Sequence, residues 1–196
     1  MTSTGMRTHQ CGELRAEHIG QTVSLCGWVA TRREHGEHLA FLDVRDYTGV
    51  TQCVVDNAVD VRAEYVVRVT GTVAARPAES ANERLATGAI EIQDCQVEIL
   101  NTAEAPPFPI NERADQVAEN TRLQYRYLDL RRERMQRNLR VRAAVNSAVR
   151  NAMEAQGFVE VETPMLVPST PEGAREFIVP SRKEPGAFYA LPQSPQ

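Results

Sequence analysis

The sequence predicts a small all-β barrel of five strands followed by the incomplete start of an α+β domain. Three observations carry that prediction. Between Val23 and Leu100, short stretches alternate apolar and polar residues with the period of a strand, and no helix-length pattern separates them. Pro106, Pro107 and Pro109 then break the composition. Beyond them, from about Arg134 to Gln156, apolar residues recur at helical spacing.

Residues 1–20 are polar, with Cys11 to His18 expected as a short helical turn. In the first strand Val23, Leu25 and Val29 are the inward candidates. A long loop carrying Arg32 and Arg33 is expected before the second strand, where Leu42 and Val44 alternate with Phe41, Asp43 and Arg45. Side chains on a strand alternate between faces, so burying Leu42 and Val44 turns Phe41, Asp43 and Arg45 outward. The turn Tyr47-Thr48-Gly49 leads into a third strand that places Gln52 on the same outer face. An outward ring, a side-chain amide and an arginine pair are the parts needed to stack on and read an unpaired base.

The segment Asp56 to Glu64 has room for no more than a helical turn. Tyr65 to Ala75 is the fourth strand, Arg76 to Gly88 a polar loop, and Ala89 to Leu100 the fifth strand, with Ile90 and Ile92 alternating with Glu91 and Gln93. Five strands in this span fit a Greek-key barrel of the OB type, an architecture that binds oligonucleotides on the face of its second and third strands.

The expected division is a barrel domain over residues 1–103, a linker over 104–133 and an incomplete α+β domain with an antiparallel sheet over 134–196. Arg122 to Arg131 reads as a short helix. The longer helix should bury one stripe, formed by Val141, Val145, Ala148, Val149, Ala152 and Met153, and expose its arginines; Gly157 is placed to end it. Phe158 to Glu162 reads as a strand stopped by Pro164. Arg175 to Pro180 and Ala187 to Leu191 form a hairpin through Glu184-Pro185-Gly186.

Net charge is −4, which argues against holding nucleic acid by bulk electrostatics. The distribution is uneven: between Arg122 and Arg150 nine arginines face two acids, a local balance of +7. Such a stretch either steers a polyanion or is an ordinary solvated helix face. The four cysteines are far apart and lack paired-ligand spacing, so they read as reduced, apolar groups. His35 and His38 lack a third ligand, so no metal site is expected. With neither a secretory leader nor an apolar run of membrane-spanning length, a cytoplasmic protein without membrane partners is expected.

Three runs carry a closer resemblance: RYLDLRR (126–132), GFVEVETPMLVPSTPEGAREFIVPSR (157–182) and YALPQSPQ (189–196). They closely resemble bacterial aspartyl-tRNA synthetases, which are class II enzymes, and the resemblance covers nearly the whole chain. It implies an anticodon-binding barrel, a hinge and the beginning of a catalytic domain. In that family the helix and strand ending at Pro164 correspond to motif 1, which forms much of the homodimer interface. Ser169 to Arg175 resembles the mobile loop that closes over L-aspartate, with Glu172 meeting the substrate ammonium; Ser194 and Gln196 resemble its aspartate-binding residues.

In the barrel, the same resemblance assigns Phe41 and Gln52 to stacking on and reading the middle anticodon base of tRNA-Asp. It places Arg33 near the first anticodon base, Glu91 as the acid reading that base, and Arg76 and Asn82 at the third. The sequence departs from many relatives in a shorter segment after Asp56 and one extra residue in Glu37-His38-Leu39-Ala40. His35 is similar to the histidine of members that charge both aspartate and asparagine tRNAs, which implies relaxed specificity toward tRNA-Asn.

The implied activity is ATP- and Mg2+-dependent activation of aspartate followed by transfer to tRNA. Motifs 2 and 3 would follow Gln196, so residues 1–196 are expected to be an N-terminal portion that does not activate aspartate or bind ATP tightly alone. The alternatives are a non-catalytic tRNA-binding module and a sister synthetase for asparagine or lysine. STPEGAR and QSPQ disfavour the sister synthetase.

Overall fold

The computed structural model describes residues 5–56, 60–168 and 176–191, the side chain of Glu112 aside. It divides into two compact units, Met1–Met135 and Gln136–Gln196. In the first, five strands close a barrel: β1 (Thr22–His35), β2 (Leu39–Arg45), β3 (Val50–Asp56), β4 (Val66–Ala75) and β5 (Ile90–Asn101), in the order β1-β2-β3-β5-β4. Four neighbouring pairs are antiparallel and the closing pair β3/β5 is parallel. The alternating residues Val23, Leu25, Val29, Leu42, Val44, Cys53, Val55, Val67, Val69 and Val73 fill the interior with Ile90 and Ile92. Their side chains are removed from water, which is the main stabilising term. The alternation in β2 is complete, with Ala40, Leu42 and Val44 buried and Phe41, Asp43 and Arg45 on the other face.

β1 serves two neighbours. Its first half pairs with β4 and its second with β2, and the register shifts between Val29 and Thr31. Gly27 lies near this change, where a Cβ would stand 2.5 Å from the Arg45 carbonyl oxygen, so the chains approach only because no side chain is present. Arg32 and Arg33 therefore lie on a strand, opposite Leu42 and Phe41, and not on the expected loop; Leu39 and Ala40 are likewise strand residues. The end of β1 is exposed on nearly every residue, so no apolar alternation marked it, and pairing with β2 alone makes it a strand.

The β2–β3 turn is held by Asp46, whose Oδ1 accepts from the Thr48 backbone N–H at 2.7 Å and whose Oδ2 accepts from Cys11 N–H at 2.7 Å. The four cysteines are free; Cys11 and Cys53 are buried, and burial raises the Cys11 thiol pKa far above its ordinary value. The N-terminal segment forms one 3-10 turn, Ala16–His18.

After β5 the chain packs back through Phe108, Ile110 and Ala114, all buried. A 3-10 turn at Glu112–Gln116 is followed by α1 (Glu119–Gln124) and α2 (Arg126–Asp129). Much of the basic stretch is engaged with carboxylates. Asp129, wholly buried, accepts from Arg126 and from Arg132 Nε at 2.8 Å, while Arg132 reaches Asp115 at 2.6 Å. Arg131 bonds Glu64 at 2.7 Å and lies 4.8 Å above the Trp28 ring, and Arg45 bonds the same glutamate at 3.0 Å. These arginines tie the segment after the barrel to β1, β2 and the residues before β4.

α3 (Glu133–Ala155) ends in a paired backbone cap: Gly157 N–H donates to Glu154 at 2.9 Å and Phe158 N–H to Met153 at 3.1 Å, with Gly157 at φ +87°. The helix matches expectation but its apolar stripe does not, because Val141, Val145, Val149 and Met153 are all exposed. Phe158 to Glu162 forms no strand, since a strand requires a paired neighbour and none is present among the described residues. β6 (Ile178–Pro180) and β7 (Phe188–Ala190) do form the expected antiparallel hairpin. Among the described residues no helix is long and apolar enough to cross a membrane.

Candidate nucleic-acid interface

The outer face of β1, β2, β3 and β5 gathers most of the barrel residues singled out above. Arg33 stands opposite Phe41 across the β1/β2 pair, and its side chain reaches diagonally to Asp43. There it forms a two-pronged ion pair, Nη1 to Oδ2 at 2.8 Å and Nη2 to Oδ1 at 3.0 Å. Nη2 also donates to Oε1 of Gln52 at 3.1 Å. The Gln52 Nε2 donates to Glu91 Oε2 at 2.9 Å, and Gln93 Nε2 donates to the other Glu91 oxygen at 2.9 Å. A continuous polar chain thus runs from β1 across β2 and β3 to β5, beside the half-exposed ring of Phe41. The exposed His35 ring tilts against Phe41, with centroids 5.6 Å apart and planes at 58°.

Glu91 departs from its expected environment. It is buried, because β5 begins with three consecutive buried residues and its carboxylate is satisfied by two glutamine amides. Alternation with Ile90 and Ile92 turns it to the face opposite theirs, but does not mark that it is buried there. The half-buried Arg76 donates from Nε to the Ile90 carbonyl at 2.9 Å, and its Nη2 is buried without a hydrogen-bond partner among the described residues. Burial lowers the Arg76 pKa from its ordinary value, against the opposing pull of Glu91 and Asp43.

Asn82 is exposed, and its Oδ1 accepts from Arg84 N–H at 3.1 Å. Its backbone closes the loop, donating to Gly88 at 3.1 Å and accepting from Leu85 at 3.0 Å, so this polar loop is a folded turn. Pro164 is exposed in the second unit. Glu172, Ser194 and Gln196 lie outside the described residues. Among the described residues no three His, Cys, Asp or Glu side chains converge as metal ligands.

Asp43 and Gln93 are the members of this network that sequence reasoning did not select. Asp43 was read as outward, but its pairing with Arg33 depends on a β1 extension that only the strand register reveals. Gln93 shared the alternation assigned to Glu91, and the burial of its carboxylate partner gives it a role.

A barrel of this order, with an aromatic ring and a polar network on its β2–β3 face, is an OB-fold of the nucleic-acid-binding class. Residues 23–100 match the family described as OB-fold nucleic acid binding domain, and residues 118–196 match tRNA synthetases class II (D, K and N). The aspartate–tRNA(Asp/Asn) ligase of Gloeobacter violaceus is 52% identical over 200 residues, covering 97% of this chain and 33% of that protein. The ligase of the same name from Corynebacterium aurimucosum is 52% identical over 199 residues, with the same coverage. The chain thus spans about a third of the length of these relatives.

Among solved structures, asparaginyl-tRNA synthetase from Pyrococcus horikoshii with asparaginyl-adenylate aligns over 95% of this chain and 43% of that one, at 29% identity and a TM-score of 0.78. Aspartyl-tRNA synthetase from Entamoeba histolytica, 24% identical, shares the fold with a TM-score of 0.72 over 86% of this chain and 42% of that one. The chain therefore carries an OB-fold domain followed by a class II tRNA synthetase segment, and over 97% of its length it is similar to aspartate–tRNA(Asp/Asn) ligases.

Proposed function

We propose that this chain is the N-terminal part of an aspartate–tRNA ligase that reads the anticodon of tRNA-Asp on the barrel face. The carrying observation is the convergence of Phe41, Arg33, Gln52 and Glu91 on one side of β1, β2, β3 and β5. A planar ring flanked by fixed donors and acceptors suits an unstacked base, whose π-face can stack while its edge forms hydrogen bonds. Phe41 and Gln52 serve the middle base, Arg33 and Glu91 the first, and Arg76 and Asn82 the third. His35, in ring contact with Phe41, supports acceptance of tRNA-Asn as well.

In the complete enzyme the aspartate carboxylate attacks the α-phosphorus of ATP and pyrophosphate leaves. The aspartyl group then passes from the adenylate to the 3′ end of the tRNA, releasing AMP. Mg2+ and arginines beyond this chain would balance the phosphate charge. Glu172 would meet the substrate ammonium, and Ser194 and Gln196 would orient the aspartate side chain. The exposed stripe of α3 and the segment ending at Pro164 would serve the homodimer, in the cytoplasm.

The test is binding of the chain to transcripts of tRNA-Asp and tRNA-Asn across a salt series, with Phe41→Ala as control. Binding of both, weakened by the substitution, supports the full reading. Binding of tRNA-Asp alone removes only the His35 assignment. Binding no stronger than to a random RNA of equal length, with the barrel folded, overturns anticodon recognition by this chain.

A further inference from the structure

We propose that Asp43 is a positioning residue for base discrimination: by clamping Arg33 it fixes which end of the Gln52 amide faces which way. The inference rests on the anticodon-reading function proposed above. A free glutamine amide can turn over about its terminal torsion and present oxygen and nitrogen in either order. The two orders suit different base edges, so an amide that reads a base must have its polarity set in advance. Here the setting is electrostatic. Arg33 can only donate and ionised Glu91 can only accept, and Gln52 lies between them with Oε1 on Arg33 at 3.1 Å and Nε2 on Glu91 at 2.9 Å. Turning the amide over would replace both bonds with a donor facing a donor and an acceptor facing an acceptor.

The two sides of this arrangement are not equally secure. Glu91 is buried and held from its other oxygen by Gln93 at 2.9 Å. Arg33 is long and half exposed, and it projects from the part of β1 that has no apolar anchoring. Its restraint is the two-pronged pair with Asp43, at 2.8 and 3.0 Å, a geometry that fixes the plane of the guanidinium as well as its position. Asp43, on β2, is also the strand-register partner of Gln52 on β3, so β1, β2 and β3 come together at this position. An aspartate on a face that receives RNA repels phosphate, so it opposes general affinity while sharpening the choice of base.

That opposition gives the test its sign. The full chain is titrated with four anticodon stem-loop RNAs of tRNA-Asp that differ only in the middle base, using the native protein, Asp43→Asn, Arg33→Met and the double variant. Asp43→Asn is expected to weaken the preferred RNA by roughly tenfold, the order of one well-placed hydrogen bond, while leaving the other three unchanged or tighter. The double variant should discriminate no worse than Arg33→Met alone, because Asp43 acts through Arg33. An equal loss on all four RNAs, undiminished discrimination, or additive losses in the double variant overturns the proposal.

If Asp43→Asn does not fold, Asp43→Glu replaces it. That variant keeps the charge and displaces it by one methylene, so reduced discrimination supports the clamp and full discrimination overturns it. If the native chain binds but does not distinguish the four RNAs, the anticodon reading falls and takes the proposal with it. If the native chain discriminates and the variant does so equally, only the proposal falls.

Discussion

Phe41 shows how a single residue can serve binding more than folding. Its neighbours Ala40 and Leu42 are buried in the barrel, while its own ring lies half exposed beside Arg33 and His35. Removing the ring should cost ~1–3 kcal/mol in RNA affinity, measured by titration, with little change in the denaturation midpoint. Phe41 and Gln52 were legible in the sequence because period-two alternation in β2 and β3 holds without exception. For Glu91 the alternation marks the face but not the burial: nothing local in Ile90-Glu91-Ile92 indicates that all three residues are buried. Its burial depends on two amides, one of them from another strand.

Among the elements, the segment joining β5 to α3 is held by a buried ion pair as well as by the apolar packing of Phe108, Ile110 and Ala114. Asp129 is wholly buried between Arg126 and Arg132, and the Arg132 side chain is itself almost inaccessible. Asp129→Ala should therefore destabilise the first unit by about 3–5 kcal/mol, because it leaves a buried guanidinium short of its counter-charge; urea unfolding would measure this. The Asp115 carboxyl is held below its ordinary pKa by the Arg132 hydrogen bond, partly opposed by burial. A depressed carboxylate stabilises the fold fully above its unfolded pKa and loses that contribution as pH falls through the folded value. Melting temperature should fall on acidification below the ordinary aspartate range, and Asp115→Asn should flatten that fall. RYLDLRR thus acts first as internal scaffolding, which a charge count cannot distinguish from a phosphate-binding surface. The end of α3 was readable from Gly157, whereas the expected strand over 158–162 failed because a strand is defined by a partner that local sequence does not supply.

Across the whole molecule the two units differ in kind. The first holds a continuous barrel core; in the second, Ala190 is the buried apolar residue among those described, while Val141, Val145, Val149, Phe158, Val161 and Phe177 are exposed. Limited proteolysis should accordingly leave a resistant fragment ending near residue 135, with early cleavage beyond it, as mass spectrometry would show. The domain order was readable from composition and motifs. The exposed helix stripe was readable as apolar but not as unpartnered, because amphipathic spacing identifies a face without identifying what covers it.

The parallel closure of the barrel has a kinetic consequence. β3 and β5 meet through the single registered pair Cys53 and Ile92, while the antiparallel ladders on either side of them are longer. Joining strands this far apart in sequence carries a larger loop-closure entropy than forming the β2–β3 hairpin, so this seam should zip after that hairpin and, held by the shortest ladder, breathe before its neighbours. Gln52 and Glu91 bond across that seam. An RNA base seated on them would staple it shut, and slowed amide hydrogen exchange along β3 and β5 would report the bound state from inside the protein.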